Sequence, residues 1–256
     1  MKSHKFKDTK KPHLFAHRGG NAAGAGKENS KRAFNSAVRL GYKFLETDVI
    51  LTRDNQVICY HGAHNWYTKH KSGLELRGKL QQLTYKQIQA KNLLDGAKVP
   101  LLEDVLTSFP NQLFSIDVKT KETVRPLVDL LKRLEVEDRV IITSFSLLRT
   151  LKANRLLRGN NKQASLCLSR ASGKIIRPLN RIFLHAVSLL GVSYLQVSYK
   201  RISKSLVELS HKNGIYVYAW TVNDEENIRR LLSLGVDGIM SDEAKLLLET
   251  AKSKKA

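Results

Sequence analysis

The most restrictive feature of this sequence is a regular alternation of short apolar runs with amphipathic segments. The runs are rich in β-forming residues, and the segments between them carry apolar residues at helical spacing. Strands that alternate with helices through short connections predict a parallel sheet covered by helices. The predicted strands lie at residues 13–17, 43–51, 112–119, 139–143, 163–168, 192–197, 215–220 and 236–240.

Eight such units in 256 residues suit one closed (β/α)8 TIM barrel, an α/β fold, better than two domains. An open nucleotide-binding sheet would place G-x-G-x-x-G at the start of the first helix, and Gly24-Ala25-Gly26 does not continue in that pattern. We therefore expect a single barrel over residues 13–251. Residues 1–12 are interpreted as a flexible basic tail and residues 252–256 as a short basic tail.

The formal charge of +21 predicts an anionic partner such as a phosphorylated metabolite, an acidic lipid surface or nucleic acid. No RRM, KH or zinc-finger pattern is present, so we expect no specific nucleic-acid binding. Cys59 and Cys167 form no CxxC pair, which favours a reducing, cytoplasmic compartment. No apolar run approaches the roughly 18 residues of a membrane span, and the lysine-rich start lacks the apolar core of a signal peptide. The oligomeric state stays open.

Many ionisable side chains fall where the predicted strands end. In a TIM barrel the active site is built at the carboxyl ends of the strands, so this rim is the place to look for chemistry. Glu46 and Asp48 are two residues apart on one strand and must face the same way. The residues at the rim are His17, Arg18, Glu46, Asp48, His61, Asp117, Lys119, Trp220, Ser241 and Asp242.

These residue types suit phosphodiester hydrolysis. The carboxylates of Glu46, Asp48 and Asp117 make an all-oxygen site for Mg²⁺ or Ca²⁺, with Mn²⁺ as a further candidate. His17 and His61 suit paired proton transfer near neutral pH. Arg18 and Lys119 can hold a phosphate oxyanion.

The same residues resemble the motifs of the glycerophosphodiester phosphodiesterase family, whose fold is a TIM barrel. The resemblance spans residues 13–242 in the family's order. It implies a catalytic acid/base pair at His17 and His61 and metal ligands at Glu46, Asp48 and Asp117. Further, it implies a phosphate and glycerol pocket at Arg18, Lys119 and Trp220, supported by Glu28. The matching pieces are His17-Arg18-Gly19, Lys27-Glu28-Asn29-Ser30, Glu46-Thr47-Asp48, His61, Val99-Pro100-Leu101-Leu102-Glu103, Asp117-Val118-Lys119, Trp220-Thr221-Val222-Asn223 and Gly235–Asp242.

Three positions depart from the family pattern. Gly62 replaces an acid beside the second histidine, Asp117 replaces a longer Glu, and Lys27 replaces a proline. The Asp117 change keeps a carboxylate and bears on the metal's distance or identity. The Gly62 change matters if the lost acid orients a catalytic group.

Simpler interpretations stand beside these. Lys119 could serve only as the partner of Asp117, Trp220 could fill the barrel, and His64 could substitute for His61. Asp237 and Asp242 are interpreted as turn and cap residues, and Asn223 as the cap of the following helix. The 174–190 segment mixes cations with apolar residues, which suits either an ordinary barrel helix or peripheral contact with an acidic membrane.

Three hypotheses follow. The first is a metal-dependent enzyme that hydrolyses glycerophosphodiesters to sn-glycerol 3-phosphate and an alcohol. The second is a lysophospholipase D that acts on lysophospholipids at a membrane surface. The third is a barrel that binds anionic lipid or phosphate without catalysis, motivated by Gly62 and Asp117.

Overall fold

The computed structural model describes residues 5–22, 24, 27–61, 80–91, 97–157, 164–168 and 181–253. Eight parallel strands form a closed barrel, because the first strand pairs with both the second and the last. One short antiparallel strand extends the second. The strands are β1 (His13–Ala16), β2 (Phe44–Leu51), β3 (Val57–Cys59), β4 (Leu113–Val118), β5 (Val140–Ser144), β6 (Ala164–Leu168), β7 (Val192–Ser198), β8 (Tyr216–Trp220) and β9 (Gly238–Ser241).

Helices follow the barrel strands and cover them from outside, so the predicted TIM barrel is confirmed. Ser30 caps the first helix by accepting a hydrogen bond from the Ala33 amide. Asp224, not the expected Asn223, caps the eighth. Among the described residues the helices are α1 (Lys31–Arg39), α2 (Tyr85–Gln89), α3 (Leu102–Ser108), α4 (Val124–Arg133), α5 (Leu147–Leu156), α6 (Arg181–Leu189), α7 (Lys204–Lys212), α8 (Glu225–Leu234) and α9 (Ala244–Ser253).

The side chains inside the barrel change character along each strand. Because strand side chains alternate between faces, Phe44, Glu46 and Asp48 share one side of β2. At the amino end of the strands the interior is aromatic and aliphatic, with Phe15, Phe44, Leu113, Ile141, Tyr194, Tyr218 and Met240 in one buried cluster. In the middle, Gln196 donates to the hydroxyls of Ser115 and Thr143 at 2.9 Å. The carboxyl end is charged.

Residues 5–12 close the aromatic end of the barrel, which corrects their interpretation as a flexible tail. The Phe6 side chain is 1% exposed, stacks on Phe15 and packs against Phe44. The Lys5 amide donates to the Asp138 carbonyl at 2.9 Å, and Lys11 Nζ binds Asp237 at 2.7 Å. A single aromatic residue among lysines gave no sequence signal for this packing.

Helix α6 is a barrel helix with one buried face, formed by Leu184 and Val187. This agrees with one of the two interpretations of the 174–190 segment, of which residues 174–180 lie outside the described residues. None of the described helices is both long and apolar enough to cross a membrane.

Candidate active site

A tight turn after β1 places His17 and Arg18 at the rim of the barrel. Arg18 adopts a left-handed backbone conformation with φ of 54°, which is uncommon for a residue with a side chain. Gly19 follows at φ of 88°, and a Cβ there would meet the Ala33 side chain at 2.7 Å. Glycine is therefore required for the turn to pack against α1. This turn directs the Arg18 amide to Glu46 Oε2 at 3.0 Å.

His17 lies between two carboxylates. Its Nδ1 is 2.7 Å from Asp242 Oδ1, and its Nε2 is 3.6 Å from Glu46 Oε2. Burial and the charge of Arg18 act to lower the pKa of His17, but the two carboxylates outweigh them and the pKa is raised. The same hydrogen bond lowers the pKa of Asp242 to about 2 against the effect of burial.

Glu46, Asp48 and Asp117 are buried together at the carboxyl ends of β2 and β4. Asp48 is directly opposite Asp117 in the parallel register, and Glu46 is opposite Ser115. Asn29 fixes Asp48, because its Nδ2 donates to Asp48 Oδ2 at 3.2 Å and its Oδ1 accepts from the Asp48 amide. The predicted acids are therefore neighbours in the fold.

Two buried cations neutralise part of this acid cluster. Lys119 Nζ lies 2.6 Å from Asp48 Oδ1 and 2.5 Å from Asp117 Oδ2, so it bridges the two acids rather than pairing with Asp117 alone. Arg18 Nε is 2.9 Å from Asp48 Oδ2, and Arg18 Nη1 donates to both oxygens of Glu28. Burial would raise the pKa of Asp48, but Lys119 and Arg18 hold it well below the usual range.

The other two acids of the cluster, Glu46 and Asp117, have pKa values raised above the usual range. Burial, followed by the neighbouring charge of Asp48, raises the pKa of Glu46 to about 7. Burial also raises the pKa of Asp117, against the opposing effect of Lys119. Asp117 Oδ1 is buried and has no hydrogen-bond partner among the described residues. The three acids outnumber the two cations, Arg18 and Lys119, that lie among them.

The described part of the chain contains no set of three His, Cys, Asp or Glu side chains at metal-binding spacing. Lys119 Nζ occupies the place between Asp48 and Asp117. The donor types nevertheless fit a hard divalent cation, since all three acids offer oxygen and no described residue forms a hydrogen bond with Asp117 Oδ1. The excess of acidic over basic side chains beside that oxygen favours the binding of such a cation.

His61 and Trp220 line other parts of the rim. His61 follows β3, and burial lowers its pKa to about 3 while Asp48 opposes the shift. Trp220 ends β8, packs edge-on against Phe145 at 5.5 Å, and its buried Nε1 has no hydrogen-bond partner among the described residues. Gly62 and His64 lie outside the described residues.

All nine residues predicted for the site lie at or beside this end of the barrel. Asp242, Asn223 and Asn29 join them through hydrogen bonds. Asp242 binds His17 and Asn223 through its side chain, which corrects its interpretation as a turn or cap residue. Asn29 holds Asp48. The sequence places Asp242 at the end of the last strand, which predicts that it lies at the rim. Its position does not predict which residue its side chain binds.

Comparison with known proteins agrees with this geometry. The model of the glycerophosphoryl diester phosphodiesterase family matches residues 17–246. A relative from Mycobacterium tuberculosis, named probable glycerophosphodiester phosphodiesterase 2, is 31% identical over 229 residues, which cover 86% of this chain and 83% of the relative. A human relative named lysophospholipase D is 26% identical over 269 residues, covering 89% of this chain and 82% of its own.

Solved structures show the same fold. A solved structure from Silicibacter pomeroyi superposes with a TM-score of 0.78 at 21% identity, over 94% of this chain and 93% of that one. A phosphodiesterase from Oleispira antarctica in complex with sn-glycerol-3-phosphate gives 0.74 at 18% identity, over 94% and 97%. With the family's barrel and its motifs from His17 onward in place, this chain belongs to the glycerophosphoryl diester phosphodiesterase family and is an enzyme of that class.

Proposed function

We propose that this enzyme hydrolyses glycerophosphodiesters to sn-glycerol 3-phosphate and an alcohol, with His17 and His61 as the proton-transfer pair and a divalent metal at the acid cluster. The observation that carries the proposal is the convergence of His17, Arg18, Lys119 and three buried acids at one end of the barrel. The substrate named for the family fits this end, because a phosphodiester is an anion and Arg18 and Lys119 are the buried cations beside it.

The proposed roles follow from position. Arg18 and Lys119 neutralise the charge that develops on the phosphate oxygens during displacement. One histidine takes the proton of the attacking oxygen, from water or from a substrate hydroxyl, and the other protonates the departing alkoxide. Trp220 and Phe145 form an apolar wall next to Lys119, against which the carbon skeleton of the substrate can pack.

Glu46, Asp48 and Asp117 would hold the metal, Mg²⁺, Ca²⁺ or Mn²⁺, with oxygen ligands. When bound, such an ion acts as a Lewis acid toward a phosphoryl oxygen. The Asp117 Oδ1 atom, which has no hydrogen-bond partner among the described residues, and the excess of acids over cations in the cluster support this assignment. Glu28, which binds Arg18, would keep that guanidinium in place for the substrate.

A metal-screened assay tests the proposal. Purified enzyme stripped with chelator is supplied with Mg²⁺, Ca²⁺ or Mn²⁺ and a panel of glycerophosphodiesters, and release of sn-glycerol 3-phosphate is measured. Calorimetry in the absence of substrate measures metal binding separately. We expect metal-dependent turnover that Glu46→Ala and Asp48→Ala abolish. Turnover that survives both substitutions, or the absence of hydrolysis with every metal and substrate, would contradict the proposal.

A second candidate keeps the chemistry and changes the substrate to a lysophospholipid. The human relative bears the name lysophospholipase D, and Leu148, 79% exposed, lies in the first turn of helix α5, which follows Phe145 at the same end of the barrel. Comparing turnover of glycerophosphocholine with that of lysophosphatidylcholine decides between them. A preference for the acylated substrate that Leu148→Gln removes would support the second candidate, and a preference for glycerophosphocholine would support the first.

A further inference from the structure

A hydrogen-bonded network of Asn223, Asp242 and His17 links the carboxyl ends of strands β8, β9 and β1. Asp242 Oδ1 lies 2.7 Å from His17 Nδ1, and its other oxygen accepts from Asn223 Nδ2 at 2.8 Å. Asn223 Oδ1 in turn accepts from the Asp242 amide at 3.0 Å and from the Ser241 hydroxyl at 3.1 Å. Both polar atoms of the Asn223 amide group are therefore used to hold one aspartate.

Asn223 does not cap helix α8. The sequence predicts Asn223 as the cap because it precedes the helix. Asp224 performs that role instead, since its Oδ1 accepts a hydrogen bond from the Asn227 amide. The Asp242 side chain is 40% exposed, so without a second contact it could turn toward solvent. The two bonds from Asn223 fix both its backbone and its carboxylate.

Asp242 in turn fixes the proton of His17. A carboxylate at Nδ1 is an acceptor only, so Nδ1 carries the hydrogen and donates it. The other ring nitrogen, Nε2, then faces the acid cluster at 3.6 Å from Glu46 Oε2, a distance longer than a hydrogen bond. Nε2 is the nitrogen left to exchange a proton with a substrate.

We propose that Asp242 and Asn223 are positioning residues that hold His17 as the Nδ1–H form, so that Nε2 performs its proton transfer. This inference rests on the proposed role of His17 in phosphodiester hydrolysis. It assigns the reactive atom and adds two residues, neither of which need touch the substrate. Their separation from His17 by more than 200 residues means that only the closed barrel brings them together.

The test compares Asp242→Ala, Asn223→Ala and the double variant with Asn227→Ala, a matched asparagine substitution one turn away on α8. We expect kcat to fall about 10²-fold or more in Asp242→Ala, on the scale of an orienting aspartate, and about 10-fold in Asn223→Ala. KM, the melting temperature and metal binding should stay close to wild type, because neither residue binds substrate or metal. The double variant should be no worse than Asp242→Ala, and formate should partly restore that variant.

A readout that needs no substrate follows the imidazole nitrogens of ¹⁵N-labelled enzyme by NMR. At a pH high enough to keep the ring neutral, wild type should show His17 with its hydrogen on Nδ1, and Asn223→Ala should show a mixture of the two neutral forms. Unchanged kcat in Asp242→Ala, additive losses in the double variant, or the Nε2–H form in wild type would overturn the inference. A wild type that hydrolyses no glycerophosphodiester would instead refute the proposed function, and the NMR result would still decide the positioning role.

Discussion

His13 and His17 lie at opposite ends of the first barrel strand, and the fold shifts their pKa values in opposite directions. His13 is 1% exposed and stacks on Phe44 at 4.4 Å. Burial lowers its pKa to about 4. His17, the residue directly after the strand, has its pKa raised by Glu46 and Asp242 against the effect of burial. Burial acts to lower the pKa of both histidines, so the carboxylates beside His17 account for the opposite direction of its shift.

The hydrogen bonds of His13 also suit the neutral ring. Its Nδ1 accepts from the Tyr218 hydroxyl at 2.8 Å, and its Nε2 donates to Thr9 Oγ1 at 3.0 Å. The Thr9 hydroxyl donates its own hydrogen bond to the Phe6 carbonyl. Both ring nitrogens of His13 are therefore satisfied within the amino end of the barrel, which residues 5–12 close, although the buried Tyr194 hydroxyl at this end has no hydrogen-bond partner among the described residues. The carboxyl end differs because a buried atom that lacks a hydrogen-bond partner in the described part of the chain, Asp117 Oδ1, is a carboxylate oxygen among charged side chains, as in a site that binds a ligand.

The largest expected effect is a loss of activity, and it tests whether catalysis depends on the carboxyl end of the barrel alone. Asp48→Asn removes the charge shared by Arg18 and Lys119, and we expect kcat/KM to fall at least about 10³-fold. The matched control is Asp237→Asn at the other end, where a buried aspartate binds Lys11 and the Val217 amide. It should lose stability but keep its activity per folded molecule. Equal losses of activity in both variants would contradict the division between the two ends.

Removing the aromatic closure should affect stability alone. Phe6→Ala deletes a fully buried ring and should lower the free energy of unfolding by about 3–5 kcal/mol. Urea unfolding measures the change, and kcat of the folded fraction should match wild type. Phe6→Leu retains most of the apolar volume and should recover much of the stability. A loss below about 1 kcal/mol in Phe6→Ala would show that residues 5–12 are not tightly packed.

The pH dependence of stability should report His13. Its folded pKa of about 4 lies below the unfolded value of 6.5, so the unfolded chain binds more protons between these values. This contribution is complete above pH 6.5 and is lost as pH falls toward 4, by at most about 3 kcal/mol. His13→Gln keeps an acceptor for Tyr218 and should remove this component. Wild type and variant that lose stability in parallel from pH 7 to 4.5 would contradict the assignment.

The smallest expected effect concerns the charge at the start of residues 5–12. Lys5 Nζ lies 3.2 Å from Asp138 with its side chain half exposed, so Lys5→Ala should cost less than about 1 kcal/mol. The Lys5 backbone bond to Asp138 is unaffected by the substitution. Comparing the free energies of unfolding of Lys5→Ala and Phe6→Ala separates the contribution of the buried ring from that of the surface ion pair. A loss as large as that of Phe6→Ala would reverse their ranking.

The sequence by itself determined the barrel and most of the rim. Alternating strands and helices specify a parallel sheet, and a two-residue period along a strand puts Glu46 and Asp48 on one face because side chains alternate. The carboxyl ends of parallel strands meet at one end of the barrel, so the neighbours of this pair, including Asp117 and His17, followed from local pattern. The family motifs pointed to the same residues.

The tertiary structure decided which of these groups bond to one another. Lys119 bridges Asp48 and Asp117 because β2 and β4 pair in that register. Asp242 reaches His17 only because β9 closes on β1. Phe6 fills the amino end of the barrel from outside the repeating pattern. Such contacts depend on positions distant in sequence, and a local propensity or a strand period carries no information about the partner across a closed barrel.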